Sequence, residues 1–152
     1  MQARLKNPAL LLSDAMPPLL ALAKTLQNGK VPARTLGLVH VRVSQINGCG
    51  VCLDMHARQE KKAAEPDDRL LVLAGWRDVP YYTEAERAAL ALAEAETRLA
   101  DRADAVPDDV WEEAARHYDE QGLAQLVLYI ALINLFNRAN VTTRQVAGAQ
   151  SW

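Results

Sequence analysis

The sequence has little of several residue types, and each shortage excludes a class of protein. Only two of its 152 residues are cysteines, seven are glycines and seven are prolines, a composition that excludes collagen-like, low-complexity and coiled-coil proteins. The formal net charge of −2 excludes the basic surface with which nucleic-acid-binding proteins displace counterions. Half of the residues are hydrophobic and 24% are charged, so we expect one globular domain, residues 1–152.

The sequence also lacks a long, clean hydrophobic run. The apolar stretch near the N-terminus is interrupted by Asp14, Pro17 and Pro18, and the one near the C-terminus contains Gln125 and Asn134. A membrane span needs about eighteen uninterrupted apolar residues, and the first residues do not have the pattern of a signal peptide. We therefore expect a cytoplasmic protein with no membrane partner, in a reducing compartment where structural disulfides are rare.

Aromatic residues are scarce, at 5% of the chain, and β-branched residues rarely cluster. Alanine and leucine, which favour helices, dominate instead. We therefore predict an all-α protein with about six to eight helices. The predicted helices cover residues 19–26, 32–46, 49–62, 67–74, 83–99, 107 onward and 123–140.

Residues 39–44 fit two different patterns. Apolar residues from Leu36 to Ile46 recur at i, i+3, i+7 and i+10, which is one stripe of a helix. The same region also alternates apolar and polar residues with the period of a strand. Composition and periodicity leave both alternatives open here.

Local signals predict where several helices begin and end. Thr83 followed by Glu86 has the form of a capping box, and Pro107 followed by two acidic residues suits the first turn of another helix. Gly48 breaks the chain just before the first cysteine. Residues 27–29 predict a left-handed helix end followed by a loop.

The apolar faces of two helices predict what they pack against. Ala88, Leu92, Ala95 and Leu99 form the stripe of the helix that begins after the capping box. The helix predicted over residues 123–140 is apolar almost all the way round. Such a helix is either the central core element or a subunit contact.

Cys49, Cys52 and His56 are the residues best suited to carry chemistry. Their spacing of i, i+3 and i+7 sets all three on one face of a helix that begins near Cys49. Two cysteines in a first helical turn can close a disulfide with little strain. The partial positive charge of the helix N-terminus favours the thiolate, and His56 can take a proton from Cys52. We therefore predict a redox-active pair.

The predicted chemistry is a peroxide-driven thiol cycle. A thiolate that attacks a peroxide becomes a sulfenic acid, which the second thiol condenses into a disulfide, and a dithiol reductant then reopens the bridge. Two alternatives remain, a pair of inert buried cysteines and a zinc site that includes a histidine. Zinc is disfavoured because a closed site needs four ligands, and His40 and His117 lack a metal-site spacing to the pair.

The residues around the cysteines resemble a known signature. The resemblance is to the alkylhydroperoxidase D-like branch of the carboxymuconolactone decarboxylase superfamily. It is carried by the run RVSQINGCGVCLDMH over residues 42–56, by WRDVP over residues 76–80, by TEAERAAL over residues 83–90 and by INLFNR over residues 133–138.

The resemblance implies a fold, an assembly and a set of roles. It implies an all-helical chain, with residues 39–44 in a helix, that assembles as a homotrimer or homohexamer. Cys52 is similar to the peroxidatic thiol, Cys49 to the resolving thiol and His56 to the proton-relay base. The implied substrate is a hydroperoxide, and the implied reductant is a dithiol or a lipoyl-bearing protein. No cofactor and no metal are implied.

The chain departs from the family pattern at two relay positions. Gly37 stands twelve residues before the first cysteine, where the family's peroxidases often have a glutamate, and Val51 replaces a histidine that some carry. Weak peroxidase turnover is therefore expected. We hypothesise that His40, one helical turn from Gly37, takes over part of the relay. The simpler alternative for His40 is a partly buried residue bonded to backbone.

Three functions are consistent with the sequence. The first is a cytoplasmic peroxidase that uses a Cys49–Cys52 disulfide. The second is a thiol–disulfide oxidoreductase, in which Cys49 at the helix N-terminus is the nucleophile. The third is a non-catalytic, oligomeric redox sensor, which would show no turnover with any reductant.

Overall fold

The computed structural model describes residues 1–62 and 68–149, which contain helices and no strand. Seven α-helices, within the predicted number, and two 3-10 segments are present in these ranges. The α-helices are α1 (Pro8–Leu11), α2 (Met16–Gln27), α3 (Ala33–Asn47), α4 (Gly50–Glu60), α5 (Glu84–Thr97), α6 (Asp108–His117) and α7 (Glu120–Thr142). The 3-10 segments are Asp68–Asp78 and Leu99–Asp101. The prediction of an all-α protein is confirmed.

Helix α3 includes the region that fitted both a helix and a strand. It is buried on two sides, which explains the ambiguity. Leu36, Val39 and Val43 pack into the main hydrophobic core with α5 and α7, whereas Leu38 and Val41 pack into a second cluster with the first 3-10 segment. A helix buried on two sides needs apolar residues at more positions than one stripe supplies. In α3 the apolar residues 39, 41 and 43 therefore alternate with polar ones as in a strand, although they lie on two faces of a helix.

The helix boundaries next to the cysteines follow the predicted signals. Pro32 precedes the first residue of α3, and Gly48 ends that helix in the left-handed region at φ 65°. Thr83 and Glu86 form both hydrogen bonds of a capping box at the start of α5. Pro107 is the N-cap of α6. These four predictions are confirmed.

Three local predictions were wrong. Helix α2 ends at Gln27, and neither its C-cap Asn28, at φ −104°, nor Gly29 adopts the left-handed conformation. Leu99 lies beyond the end of α5 and is 55% exposed, so it adds nothing to that helix's buried stripe. The 3-10 segment bends at Gly75 and continues to Asp78, beyond the predicted helix end at residue 74, because Trp76 is buried against Leu90 and other core residues. The predicted start of that helix at residue 67 lies outside the described residues.

Helix α7 is a long central element, the first of the two alternatives that its composition left open. By length and composition it could cross a bilayer, yet 56% of its most hydrophobic window is buried inside the protein. Its inner side packs against α3 and α5, as expected for a core helix. Leu128, Leu135 and Val141 remain exposed on its outer side, and the predicted subunit contact stays a prediction.

Candidate active site

The two cysteines lie where α3 ends and α4 begins. The left-handed Gly48 turns the chain after α3, which makes Cys49 the N-cap of α4. Its Sγ accepts a hydrogen bond from the backbone N–H of Cys52 at 3.4 Å. Both residues are free thiols, 1% and 4% exposed. The predicted start of this helix is confirmed, and the two sulfurs are close together.

Two asparagine side chains of α7 donate hydrogen bonds to the sulfurs. Asn137 Nδ2 lies 3.1 Å from Cys52 Sγ. Asn140 Nδ2 lies 3.5 Å from the same sulfur and 3.9 Å from Cys49 Sγ. These contacts join residues 85 to 91 positions apart in the chain. Sequence reasoning missed both residues, although polar side chains at i and i+3 in a strongly apolar helix were a visible signal.

The asparagines are themselves held by other polar groups. Asn137 Nδ2 also donates to Ser44 Oγ at 3.2 Å, and its Oδ1 accepts from Asn47 Nδ2 at 3.0 Å. Asn140 Oδ1 accepts from Asn7 Nδ2 at 3.3 Å, which connects the N-terminal segment to the site. Buried amides without partners are costly, so this network fixes the side chains around the thiols.

The fold gives the two thiols opposite acidities. The pKa of Cys49 is lowered to about 7, chiefly by a hydrogen bond with the Cys52 side chain. Burial opposes this shift, whereas hydrogen bonds from the Cys52 N–H and both asparagine amides add to it. The same bond to Cys49, together with burial, raises the pKa of Cys52. The fold therefore favours ionisation of Cys49 over ionisation of Cys52.

Each sulfur faces a different opening. Cys52 lines a pocket of about 510 Å³ whose walls are largely apolar and include Leu10, Met16, Leu20, Met55, Ile133 and Phe136. Within the described residues, no Asp, Glu, Lys or Arg side chain lines this pocket. Cys49 lines a smaller pocket of about 190 Å³ with Arg144 and Gln145. Asn140 contributes to both pockets.

His56 lies beside His40 and Gly37. The two imidazole rings are 5.2 Å apart between centroids. Both histidines and Gly37 line a further pocket of about 280 Å³, and a Cβ added to Gly37 would lie 3.5 Å from His56 Nε2. The position that resembles the family's relay glutamate therefore borders the predicted relay histidine.

His40 connects the histidine pair with the cysteine pocket. It lines the pocket of Cys52 as well as that of His56. Its buried Nε2 has no hydrogen-bond partner in residues 1–62 and 68–149, which does not match a simple bond to backbone. Burial, aided by the charge of His56, lowers the pKa of His40 to about 4. His40 is thus a neutral base at physiological pH.

Two further observations concern metal binding and aromatic residues. Among the residues that the structure describes, no group of three His, Cys, Asp or Glu side chains could hold a metal ion. Trp76 and Tyr82 are buried in the second hydrophobic cluster. Tyr81 and Trp111 are exposed on the surface.

The part of the chain that contains the two cysteines and His56 matches a known protein family. The model of the carboxymuconolactone decarboxylase family matches residues 14–95, just over half of the chain. Uncharacterized protein YdfG of Bacillus subtilis (strain 168) is 34% identical over 128 residues, which are 84% of this chain and 86% of that protein.

Solved structures resemble the whole chain. ATU0492 from Agrobacterium tumefaciens, a protein of unknown function and suggested antioxidant defence protein AhpD, has a TM-score of 0.86 at 30% identity, with 98% of this chain and 100% of that chain covered. The debrominase Bmp8 has a TM-score of 0.78 at 23% identity, over 91% of this chain and 74% of that chain, which shows a shared fold alone.

Proposed function

The chain belongs to the carboxymuconolactone decarboxylase family, in its alkylhydroperoxidase D-like branch, and we propose that it is a thiol-dependent peroxidase. One observation carries the proposal. Two buried free thiols lie together at the N-terminus of a helix, and one of them, Cys52, lines an apolar pocket large enough for an organic molecule. This arrangement supports the reduction of hydroperoxides through a Cys49–Cys52 disulfide.

Cys52 is the proposed attacking thiol and Cys49 the base that activates it. The Cys52 proton passes to the Cys49 thiolate, and Cys52 Sγ then attacks the terminal oxygen of the hydroperoxide. The S–O bond forms, the O–O bond breaks, and the departing alkoxide takes the proton from Cys49 to become an alcohol. Cys49 is then a thiolate beside the Cys52 sulfenic acid.

The second step closes the disulfide. The Cys49 thiolate attacks Cys52 Sγ, the S–S bond forms, the S–O bond breaks, and the departing hydroxide takes up a proton to become water. Overall, two thiols are oxidised to a disulfide while the hydroperoxide is reduced to an alcohol and water. The lowered pKa of Cys49 supports its role as the resolving nucleophile near neutral pH.

His56 and His40 are the proposed proton relay to solvent. His40 borders the Cys52 pocket and lies beside His56, so it can pass a proton that the disulfide step consumes. Its lowered pKa keeps it neutral, and a neutral imidazole can take a proton at one nitrogen while it releases one from the other. If His40→Ala leaves the rate of disulfide formation with peroxide unchanged from about pH 5 to about pH 8, His40 has no part in the relay.

The remaining parts of the proposal concern partners and location. A dithiol, free or on a lipoyl-bearing protein, would reduce the disulfide, and a cytoplasmic location would keep such reductants available. A homotrimer or homohexamer would cover exposed leucines of the first two helices and α7, among them Leu10, Leu20 and Leu128.

A thiol–disulfide oxidoreductase is the alternative that the acidity of Cys49 favours. Its N-cap position and lowered pKa are those of an exchange nucleophile. However, Cys49 is 1% exposed, and a protein disulfide must reach the attacking sulfur directly. The peroxidase proposal fits this burial better, because a small substrate can enter a pocket.

Peroxide consumption with dihydrolipoamide tests the proposal. We expect the native chain to turn over, Cys49→Ser and Cys52→Ser to be inactive as catalysts, and His56→Ala to be slower by about tenfold or more. A sulfenic acid trapped on Cys52 in the Cys49→Ser variant, formed more slowly than the native chain loses thiol because the Cys49 base is absent, supports the assigned roles. Trapping on Cys49 alone in Cys52→Ser reverses them. Absence of turnover with every peroxide and dithiol contradicts the peroxidase proposal and favours a redox sensor.

A further inference from the structure

Two buried amides approach the sulfur that we propose attacks the substrate. Asn137 and Asn140 donate to Cys52 Sγ at 3.1 and 3.5 Å. Both side chains are buried, and both come from α7, the most apolar helix of the chain. Burying an amide in such surroundings is unfavourable unless its hydrogen bonds are made. The protein therefore places two buried amide donors beside Cys52 Sγ.

A chain of hydrogen bonds fixes which end of Asn137 faces the sulfur. The carbonyl of Ile130 can only accept, so Asn134 must direct its Nδ2 at it, at 3.0 Å, and present its Oδ1 to Asn47. Asn47 Nδ2 then donates to both Asn134 Oδ1 and Asn137 Oδ1, at 2.9 and 3.0 Å. The N–H end of Asn137 is consequently left for Cys52 Sγ.

Asn140 approaches from the pocket side. Asn137 is fully buried, whereas Asn140 borders both the Cys52 pocket and the Cys49 pocket. Its amide N–H lies within reach of both sulfurs, 3.5 Å from Cys52 and 3.9 Å from Cys49. Negative charge that passes from one sulfur to the other during the cycle stays beside this one donor.

We propose that Asn137 and Asn140 are catalytic residues whose amide N–H groups stabilise the thiolate form of Cys52 from which attack begins. This inference rests on the proposed function, in which Cys52 is the nucleophile. Hydrogen bonds donated to the charged form of a buried group favour that form, so the two amides increase the fraction of Cys52 that is ionised and ready to attack. The two amides would allow Cys52 to ionise in a pocket that offers no positive charge. Among the described residues, the titratable side chains of this pocket are the uncharged His40, Tyr129 and Cys52 itself.

Alkylation of Cys52 tests the inference without a peroxide. In a Cys49→Ser background the chain contains a single thiol, so iodoacetamide reports on Cys52 alone. We expect Asn137→Leu and Asn140→Leu each to raise the apparent pKa of Cys52 by about 1 unit, which slows alkylation near neutral pH about tenfold. Alkylation at a pH high enough to ionise the thiol fully should be restored, which a blocked or distorted pocket would not allow.

Gln125→Leu is the matched control. Gln125 is another buried amide on the same helix, but its partners are the backbone N–H of Val31 and the carbonyl of Leu26, and within the described part of the chain it contacts neither sulfur nor the asparagine network. It should leave the pKa of Cys52 unchanged. An equal shift in all three variants would mean that the asparagines only support the fold, and no shift in Asn137→Leu and Asn140→Leu would overturn the inference.

A second substitution covers the case in which a leucine variant fails to fold. Asn140→Asp keeps the size of the side chain but replaces an N–H donor by an oxygen, and it should slow alkylation at least as much as Asn140→Leu. Alkylation as fast as that of the background variant would overturn the role of Asn140. If alkylation responds as expected but no peroxide is consumed by the native chain, the inference on Cys52 ionisation stands while the peroxidase proposal fails.

Discussion

The substitution Gly37→Glu tests the relay most directly, because it supplies the carboxylate that the family's peroxidases often have at this position. A Cβ at residue 37 would meet His56 Nε2 at 3.5 Å and Cε1 at 3.7 Å, which is ordinary van der Waals contact. The neighbouring pocket of about 280 Å³ gives the rest of the side chain room. The fold can therefore accept a glutamate here, and its carboxylate would reach the imidazole.

The expected gain follows from the strength of a charged hydrogen bond. A carboxylate that accepts a hydrogen bond from an imidazole contributes about 1.5 kcal/mol or more, and stabilisation of the relay's charged form by that amount corresponds to about tenfold in rate. Gly37→Glu should thus speed formation of the Cys49–Cys52 disulfide after addition of peroxide about tenfold. The same change also removes a glycine from the interior of α3, which adds up to about 1 kcal/mol of helix stability.

Gly37→Gln is the control, since glutamine fills the same space and gains the same helix propensity without a charge. Single-turnover oxidation of the reduced protein, followed by loss of free thiol, measures the rate for both variants. Equal rates for Gly37→Glu and Gly37→Gln would refute the reasoning. A tenfold advantage of the glutamate that disappears in the His56→Ala background would establish that the carboxylate acts through His56.

Three further predictions follow from the local geometry. The fold lowers the pKa of Cys49 from 9.0 to about 7. The reduced protein should therefore gain stability relative to Cys49→Ser as the pH rises from about 7 to about 9, and lose that gain as the pH falls through 7. Urea unfolding at both pH values measures the difference in stability, and a difference that stays constant would contradict the shift. Gly48→Ala should lower the free energy of unfolding by about 1 kcal/mol through its φ of 65° alone, because its new Cβ meets nothing within 4 Å. The control Gly50→Ala has equal space and no left-handed φ, so it should not destabilise the protein. Equal unfolding midpoints for the two variants would show that the turn carries no strain. Thr83→Ala should remove the capping box of α5 and cost about 1 kcal/mol in the same assay, and an unchanged midpoint would mean that the helix end is held by its packing.

Local chemistry was enough to predict the start of the site. Gly48 ends one helix and Cys49 begins the next, and a spacing of three residues in a first helical turn brings two thiols together whatever the rest of the chain does. Helix boundaries at Pro32, Thr83 and Pro107 depend equally on neighbours in the sequence. Interactions of this kind span only a few residues, so they can be predicted from the order of neighbouring residues.

What surrounds the thiols was decided by tertiary packing. Asn137 and Asn140 reach the sulfurs across more than 80 residues, and His40 comes beside His56 because α3 folds back against α4. The two-sided burial of α3, which made residues 39–44 look like a strand, also depends on partners far away in the chain. The sequence by itself therefore determined the helices and the cysteine pair. Only the packing of distant helices decided which sulfur faces the apolar pocket and which amides contact it, because burial and long-range hydrogen-bond partners are properties of the folded chain.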